Sequence, residues 1–192
     1  MENCKRFRIE GYNSVDIFKS KRENLSVFIY TKIQRQLLLY EILYTSHEAT
    51  IDDLMRRLNA SKKTIQRDIE DLTDAGLIKL TYFRKDKSYK HENATDIISE
   101  PEGTARYSHL KKLRRLAIFM KELSAASEYS YEEEYNCKER YFELFPGVSE
   151  RTRMRDYEIL NGIGYTIQWD EYEKRHIVQG YLYQIREEFD IG

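Results

Sequence analysis

Two stretches of this chain, SKKTIQRDIEDLTDAG at 61–76 and SERTRMRDYEILNGIG at 149–164, align without a gap, eighty-eight residues apart. They agree at Ser, Thr, Arg, Asp, Glu, Leu and Gly, seven of sixteen positions. Self-similarity at a fixed offset constrains a fold before any single residue does, because each copy must be the same supersecondary unit. Each copy opens on a serine suited to cap a helix and ends on a glycine that accepts the left-handed backbone closing one.

The flanks of the first copy complete a unit. TKIQRQLLLYEILYTS carries Leu38, Leu39, Ile42 and Leu43 as one apolar stripe at helical spacing. TIDDLMRRLNAS opens on Thr50, with Asp52 and Asp53 where carboxylates suit a helix N-terminus and Ile51, Leu54, Met55 and Leu58 on one face. Only Asn59 and Ala60 then precede Ser61, which predicts a helix-turn-helix. The third helix buries Ile65, Ile69 and Leu72 and stops at Gly76; LIKLTYF, a charged RKDK turn and SYKHE follow as a hairpin, the wing of a winged helix.

The second copy repeats the plan. HLKKLRRLAIFMKEL is its first helix, SAASEYSYEEEYN a lengthened connection, and CKERYFELFPG the second helix, ended near Pro146. In the third helix Tyr157 and Leu160 take the places of Ile69 and Leu72, and YTIQWDEYEKRHIVQG forms the second wing. The expected fold class is mainly α (α+β), two tandem winged helix-turn-helix domains with small antiparallel wings. The boundaries are an N-terminal extension read as helical at 1–30, the first domain at 31–91, a linker at 92–108, the second domain at 109–183 and a tail at 184–192.

The net charge of −1 over 192 residues hides a division of labour. Residues 1–91 hold 18 Lys+Arg and 13 Asp+Glu, giving +5, while 92–192 hold 14 and 20, giving −6. No apolar run approaches the roughly 20 residues of a membrane helix, and the N-terminus lacks the pattern of a secretory leader. Cys4 and Cys137 form no CxxC, so a reduced, cytoplasmic protein is expected.

DNA gives this layout its use. A helix fits the major groove, and the first residues of a third helix then face base edges. Here they are Ser61, Lys62, Lys63, Thr64, Gln66 and Arg67, carrying +3 with no acid among residues 61–67. Gln66 and Arg67 match adenine and guanine edges, while Lys85 and Lys87 in the wing suit phosphates. In the second copy Arg151, Thr152, Arg153 and Arg155 hold the corresponding turns, offset by Glu150. A solvated helix face would have similar composition; position at the start of the third helix and in the hairpin favours DNA contact. Asp68 and Asp156 would repel a polyanion, so a scaffold role is expected for both, each pairing with a basic group of its own unit or fixing the adjacent arginine.

The pattern S-x-x-T-I-x-R-D-I-x-x-L-x-x-x-G resembles the third helix of the DeoR-type winged helix-turn-helix of bacterial repressors. The second copy is similar to the N-terminal winged helix of regulators that carry a WYL domain. The resemblance spans roughly 31–91 and 109–180 and implies sequence-specific binding of double-stranded DNA and transcriptional control, with the recognition role passing to Lys62, Lys63, Thr64, Gln66 and Arg67 and to Arg151, Thr152, Arg153 and Arg155. The family's apolar residue after the threonine is Ile65 in the first copy but Arg153 in the second. No segment resembles a sugar-phosphate sensor or a WYL domain, so a signal is expected from a protein partner, from abundance or from a small molecule held between domains.

Enzyme signatures are missing: the sequence has no GxGxxG, P-loop or HExxH, its four histidines are scattered, and neither a metal nor a cofactor is expected. Two alternatives remain open, a plasmid-type replication initiator and a protein-docking module for which the tyrosine-rich acidic half would serve as a surface. A homodimer and a regulatory protein partner are also open.

Overall fold

A computed structural model describes residues 30–46, 48–85, 88–92, 94–129 and 135–180. The chain divides into Met1–Tyr30 and Thr31–Gly192; residues 1–29 of the N-terminal extension read as helical lie outside the described residues, as does the tail. Thr31–Gly192 contains six helices and five strands among those residues. The first half holds α1 (Lys32–Thr45), β1 (Glu48–Thr50), α2 (Ile51–Leu58), α3 (Lys62–Asp74), β2 (Lys79–Phe83) and β3 (Ser88–Glu92). The second holds α4 (Ala105–Tyr129), α5 (Cys137–Leu144), α6 (Glu150–Asn161), β4 (Thr166–Asp170) and β5 (Arg175–Gly180).

Local chemistry sets these boundaries. Thr31 and Gln34 form a capping box at α1, Thr50 accepts from the Asp53 N–H at α2, and Asn136 accepts from Lys138 and Glu139 at α5. Asn59 takes a left-handed backbone, φ 46°, which asparagine tolerates, and so lets α2 turn into α3 within three residues. Gly76, φ 71°, ends α3, and the Leu77 N–H reaches back to the Leu72 carbonyl at 3.1 Å. Eighty-eight residues on, Gly164 has φ 119° and the Tyr165 N–H reaches the Leu160 carbonyl at 3.3 Å.

Both sheets are antiparallel. The first runs β1-β3-β2, with Ala49 opposite Tyr89 and Tyr82 opposite Tyr89 across the other edge; the second pairs β4 with β5, Trp169 opposite His176. β1 is an addition to the sequence expectation: a three-residue strand shows no alternation of its own, and only its pairing with β3 defines it. α4 also exceeds its expected length at both ends, so residues 105–108 of the expected linker are helical. Residues 96–99 of that linker dock on the end of α3, with Ser99 N–H on the Asp74 carbonyl at 2.8 Å and Asp96 N–H on the Gly76 carbonyl at 3.2 Å.

The two halves pack different interiors. Leu39, Leu43, Leu54, Leu58, Ile65, Leu72 and Ile78 make the first core aliphatic. In the second, Phe119 stacks on Tyr157 with ring centroids 5.8 Å apart, and Tyr141 meets both edge-on. Tyr141, Tyr157 and Tyr165 are therefore core residues, whereas Tyr172 is exposed. α1 is buried along Gln36–Tyr40 because its own bundle covers one side and α4 the other.

Candidate nucleic-acid interface

The third helix of the first half is built outward from its cap. The Ser61 hydroxyl accepts the Thr64 N–H at 3.2 Å and shares a hydrogen bond with the Thr64 hydroxyl at 2.9 Å. That pairing engages both hydroxyls locally and fixes the first turn. Lys62, Lys63, Gln66 and Arg67 are then exposed on it, and among the described residues none of them has a hydrogen-bond or ion-pair partner. Lys85, also exposed, lies in the turn between β2 and β3; Lys87 lies outside the described residues.

What makes this face cationic is the removal of the neighbouring acid. Asp68, 1% exposed, turns inward and accepts from Arg35 Nε at 2.6 Å and Nη2 at 3.3 Å, and from Gln36 Nε2 at 3.1 Å. The Arg-Asp pair of the motif thus points its two charges in opposite directions, Arg67 to solvent and Asp68 into the α1–α3 seam. Asp156 repeats the geometry, accepting from Arg115 Nε at 2.6 Å, Arg115 Nη2 at 3.2 Å and the Tyr141 hydroxyl at 2.6 Å. Burial, followed by that bond to Asp156, pushes the Tyr141 hydroxyl well above its ordinary pKa. Each carboxylate pairs with a base on the first helix of its own half, as expected from the sequence. Arg35 and Arg115 were not identifiable beforehand, because they lie 33 and 41 residues from their partners.

The second half keeps the cap, with Ser149 and Thr152 hydroxyls 2.9 Å apart, but not the charge. Arg151 and Arg155 are exposed and without partners among the described residues. Arg153 is a correction: it is 1% exposed, its guanidinium bound to Glu150 at 2.5 and 3.2 Å and lying 4.6 Å over the Tyr157 ring. It fills the inward position that Ile65 fills in the first half, and a side chain there cannot reach the DNA backbone. The second wing is acidic, with Asp170, Glu171 and Glu173, and it exposes Trp169 and Tyr172.

A polar seam joins the halves. Gln36 donates to Asp68 and to Asp71, the latter at 2.8 Å, which leaves its carbonyl to accept from His109 Nε2 at 3.0 Å. Lys32 and Arg106 close on Asp71 at 2.7 and 3.1 Å. Burial alone would raise the Asp71 carboxyl, but the bonds from Lys32 and Gln36 and the charges of Lys32 and Arg106 outweigh it and hold the pKa below the usual carboxylate range. Burial, then the charge of Lys32, lowers the pKa of His109.

Residues 35–102, 68 of the 192, match the family model HTH_11, an HTH domain. The matched span runs from within α1 through both strands of the first wing and supports a DNA-binding helix-turn-helix; α4 and everything after it lie outside. No curated protein and no solved structure matches the chain. Among the described residues no helix is long and apolar enough to cross a membrane.

Proposed function

We propose that this protein is a sequence-specific, duplex-DNA-binding transcriptional regulator of two tandem winged helices, acting without chemistry and with most of its affinity in the first. The carrying observation is the first turn of α3, where Lys62, Lys63 and Arg67 are exposed and unpaired while Asp68 is withdrawn onto Arg35. α3 then enters the major groove, with Gln66 and Arg67 toward base edges and Lys62, Lys63, Arg84 and Lys85 toward phosphates. Repression in the manner of DeoR-type proteins accords with the motif of α3. Dimerisation and a protein partner belong to the same proposal without a specific contact to carry them.

For the second half, the acidic wing with Trp169 44% and Tyr172 95% exposed favours a protein-facing use over a second DNA reader. The DNA-binding reading is tested by fluorescence anisotropy of the full chain on a duplex selected from a random pool, titrated with salt. With four lysines and arginines on phosphates, log K should fall with log salt at a slope of roughly −3.6. Arg67→Ala should cost about 1–3 kcal/mol on the selected site and little on random duplex, whereas Lys85→Ala should weaken both alike. A flat salt response, or equal losses for the two variants on both duplexes, contradicts the proposal.

A further inference from the structure

The internal repeat supplies its own control for one buried place. The first half closes its core at Ile65 and Ile69; the second places Arg153 and Tyr157 there, and Glu150 where the first has Lys62. The fold therefore does not require an arginine at this position, and a buried donor without an acceptor costs about 1–3 kcal/mol. Glu150 takes only Nε and Nη2 of Arg153. The guanidinium lies over the Tyr157 ring, close enough to its hydroxyl to offset part of the pKa rise that burial imposes there, yet neither Arg153 Nη1 nor the Tyr157 hydroxyl makes a well-formed hydrogen bond among the described residues.

More such atoms gather around them. The Tyr135 hydroxyl, Nε and Nη1 of Arg175 and Nδ1 of His176 are likewise shielded from solvent and unpartnered among the described residues. The His176 ring lies 5.7 Å from Tyr157, and the buried Cys137 thiol, pushed up to about 12 by its burial, senses the charges of both Arg153 and Arg175. Arg153 and Arg175 each spend an outer nitrogen on a glutamate, Glu150 and Glu173, that is 55% and 42% exposed. Three guanidinium nitrogens are left shielded and unpartnered among the described residues, and such nitrogens bind oxygen anions in directed pairs.

We propose that Arg153 and Arg175 form a binding site for a small oxyanion, a phosphate or a carboxylate, between α5, α6 and β5, with the Tyr157 and Tyr135 hydroxyls as further ligands. Entry requires Glu150 or Glu173 to swing into solvent, which their exposure permits. An occupied site ties the first turn of α6 to the second wing. The inference is independent of DNA binding, and its test uses no DNA.

The test takes the full chain with Cys4→Ser, so that Cys137 is the sole thiol, and compares sodium phosphate, sodium acetate and sodium chloride at matched ionic strength. At a hundredfold excess over Kd, the oxyanion that binds should raise Tm by about 5–10 °C over chloride and slow modification of Cys137 by a thiol reagent. The arm that responds identifies phosphate or carboxylate. Arg153→Ile with Tyr157→Ile, which copies the first half, and Arg175→Met should each abolish the specific response, whereas general stabilisation by excluded ions would persist in both. Equal Tm and labelling in all three salts, an undiminished response in either folded variant, or density in phosphate-soaked crystals showing only water would overturn the proposal.

Discussion

Replacing Asp156 with alanine measures how much of the second half hangs on one carboxylate. Asp156 is 0% exposed and holds Arg115 through two hydrogen bonds and the Tyr141 hydroxyl through a third. Alanine leaves a guanidinium only 15% exposed without its counter-charge and a core tyrosine without an acceptor. Removing one member of a buried ion pair costs about 3–5 kcal/mol, and the orphaned hydroxyl adds part of a further 1–3. Some water reaches Arg115, so a total of about 4 kcal/mol is expected, a fall in Tm of roughly 8–16 °C. Urea unfolding and calorimetry read this directly. The pair Arg115→Met with Asp156→Leu removes both charges and should recover most of the loss, because apolar replacement of a buried pair is commonly neutral or better. The counterpart Asp68→Ala should cost less, about 3 kcal/mol, because Gln36 keeps Asp71 as an acceptor. At a temperature well below its Tm, Asp68→Ala should bind duplex as tightly as the parent. A cost under 1 kcal/mol for Asp156→Ala, or a tenfold loss of DNA affinity by folded Asp68→Ala, would refute the assignment of these carboxylates to the scaffold.

Two further outcomes follow from the same geometry. His109 and His176 are both held below their ordinary pKa, chiefly by burial, so the unfolded chain takes up their protons first. Their contribution to stability is complete above about pH 6.5 and is lost as pH falls below that value toward the lowered folded pKa, so Tm should drop between pH 7.5 and 5.5, with a shallower slope in His109→Gln. Gly76→Ala should cost more than about 2 kcal/mol, since the left-handed backbone is strained for alanine and its Cβ would stand 2.5 Å from the Ile97 carbonyl oxygen. Gly103→Ala, equally left-handed but with open space around it, should cost only about 1 kcal/mol in the same urea titration.

How far the sequence could be read depended on whether the determinant was local. The α2–α3 turn, the caps at Ser61 and Ser149 and the stops at Gly76 and Gly164 are written in adjacent residues, and the chain obeys them. The start of α4 was equally local, since the Thr104 hydroxyl accepts the Tyr107 N–H at 2.9 Å, but Pro101 and Gly103 masked it as linker. β1 and the arginine partners of Asp68 and Asp156 depend on chain crossings that no window contains. Arg153 is a different case. The ungapped alignment put it at the inward position of Ile65, and the register was a better guide than the residue's charge.

The same alignment explains why α1 carries more apolar surface than one bundle needs. A stripe of Leu38, Leu39, Ile42 and Leu43 serves the first core, yet Gln36, Leu37 and Tyr40 are also buried, because α4 lies along the opposite side. Contacts advance together along both helices, from Gln36 with His109 to Tyr44 with Lys121, whose ammonium sits 4.0 Å over the Tyr44 ring, so α1 and α4 run in the same direction. Farther on, the Gln34 amide occupies the space where a side chain at Gly162 would stand, bringing the start of α1 against the end of α6. A buried amide so engaged admits few alternative packings, since shifting it costs Asp68, Asp71 and His109 a hydrogen bond each. Gln36 therefore does for the whole molecule what the serine caps do for single helices: it fixes an angle. Because α3 and α6 belong to one packed unit joined by this seam, the contrast between a cationic α3 face and a mixed α6 face is a property of the assembled unit rather than of two beads on a tether.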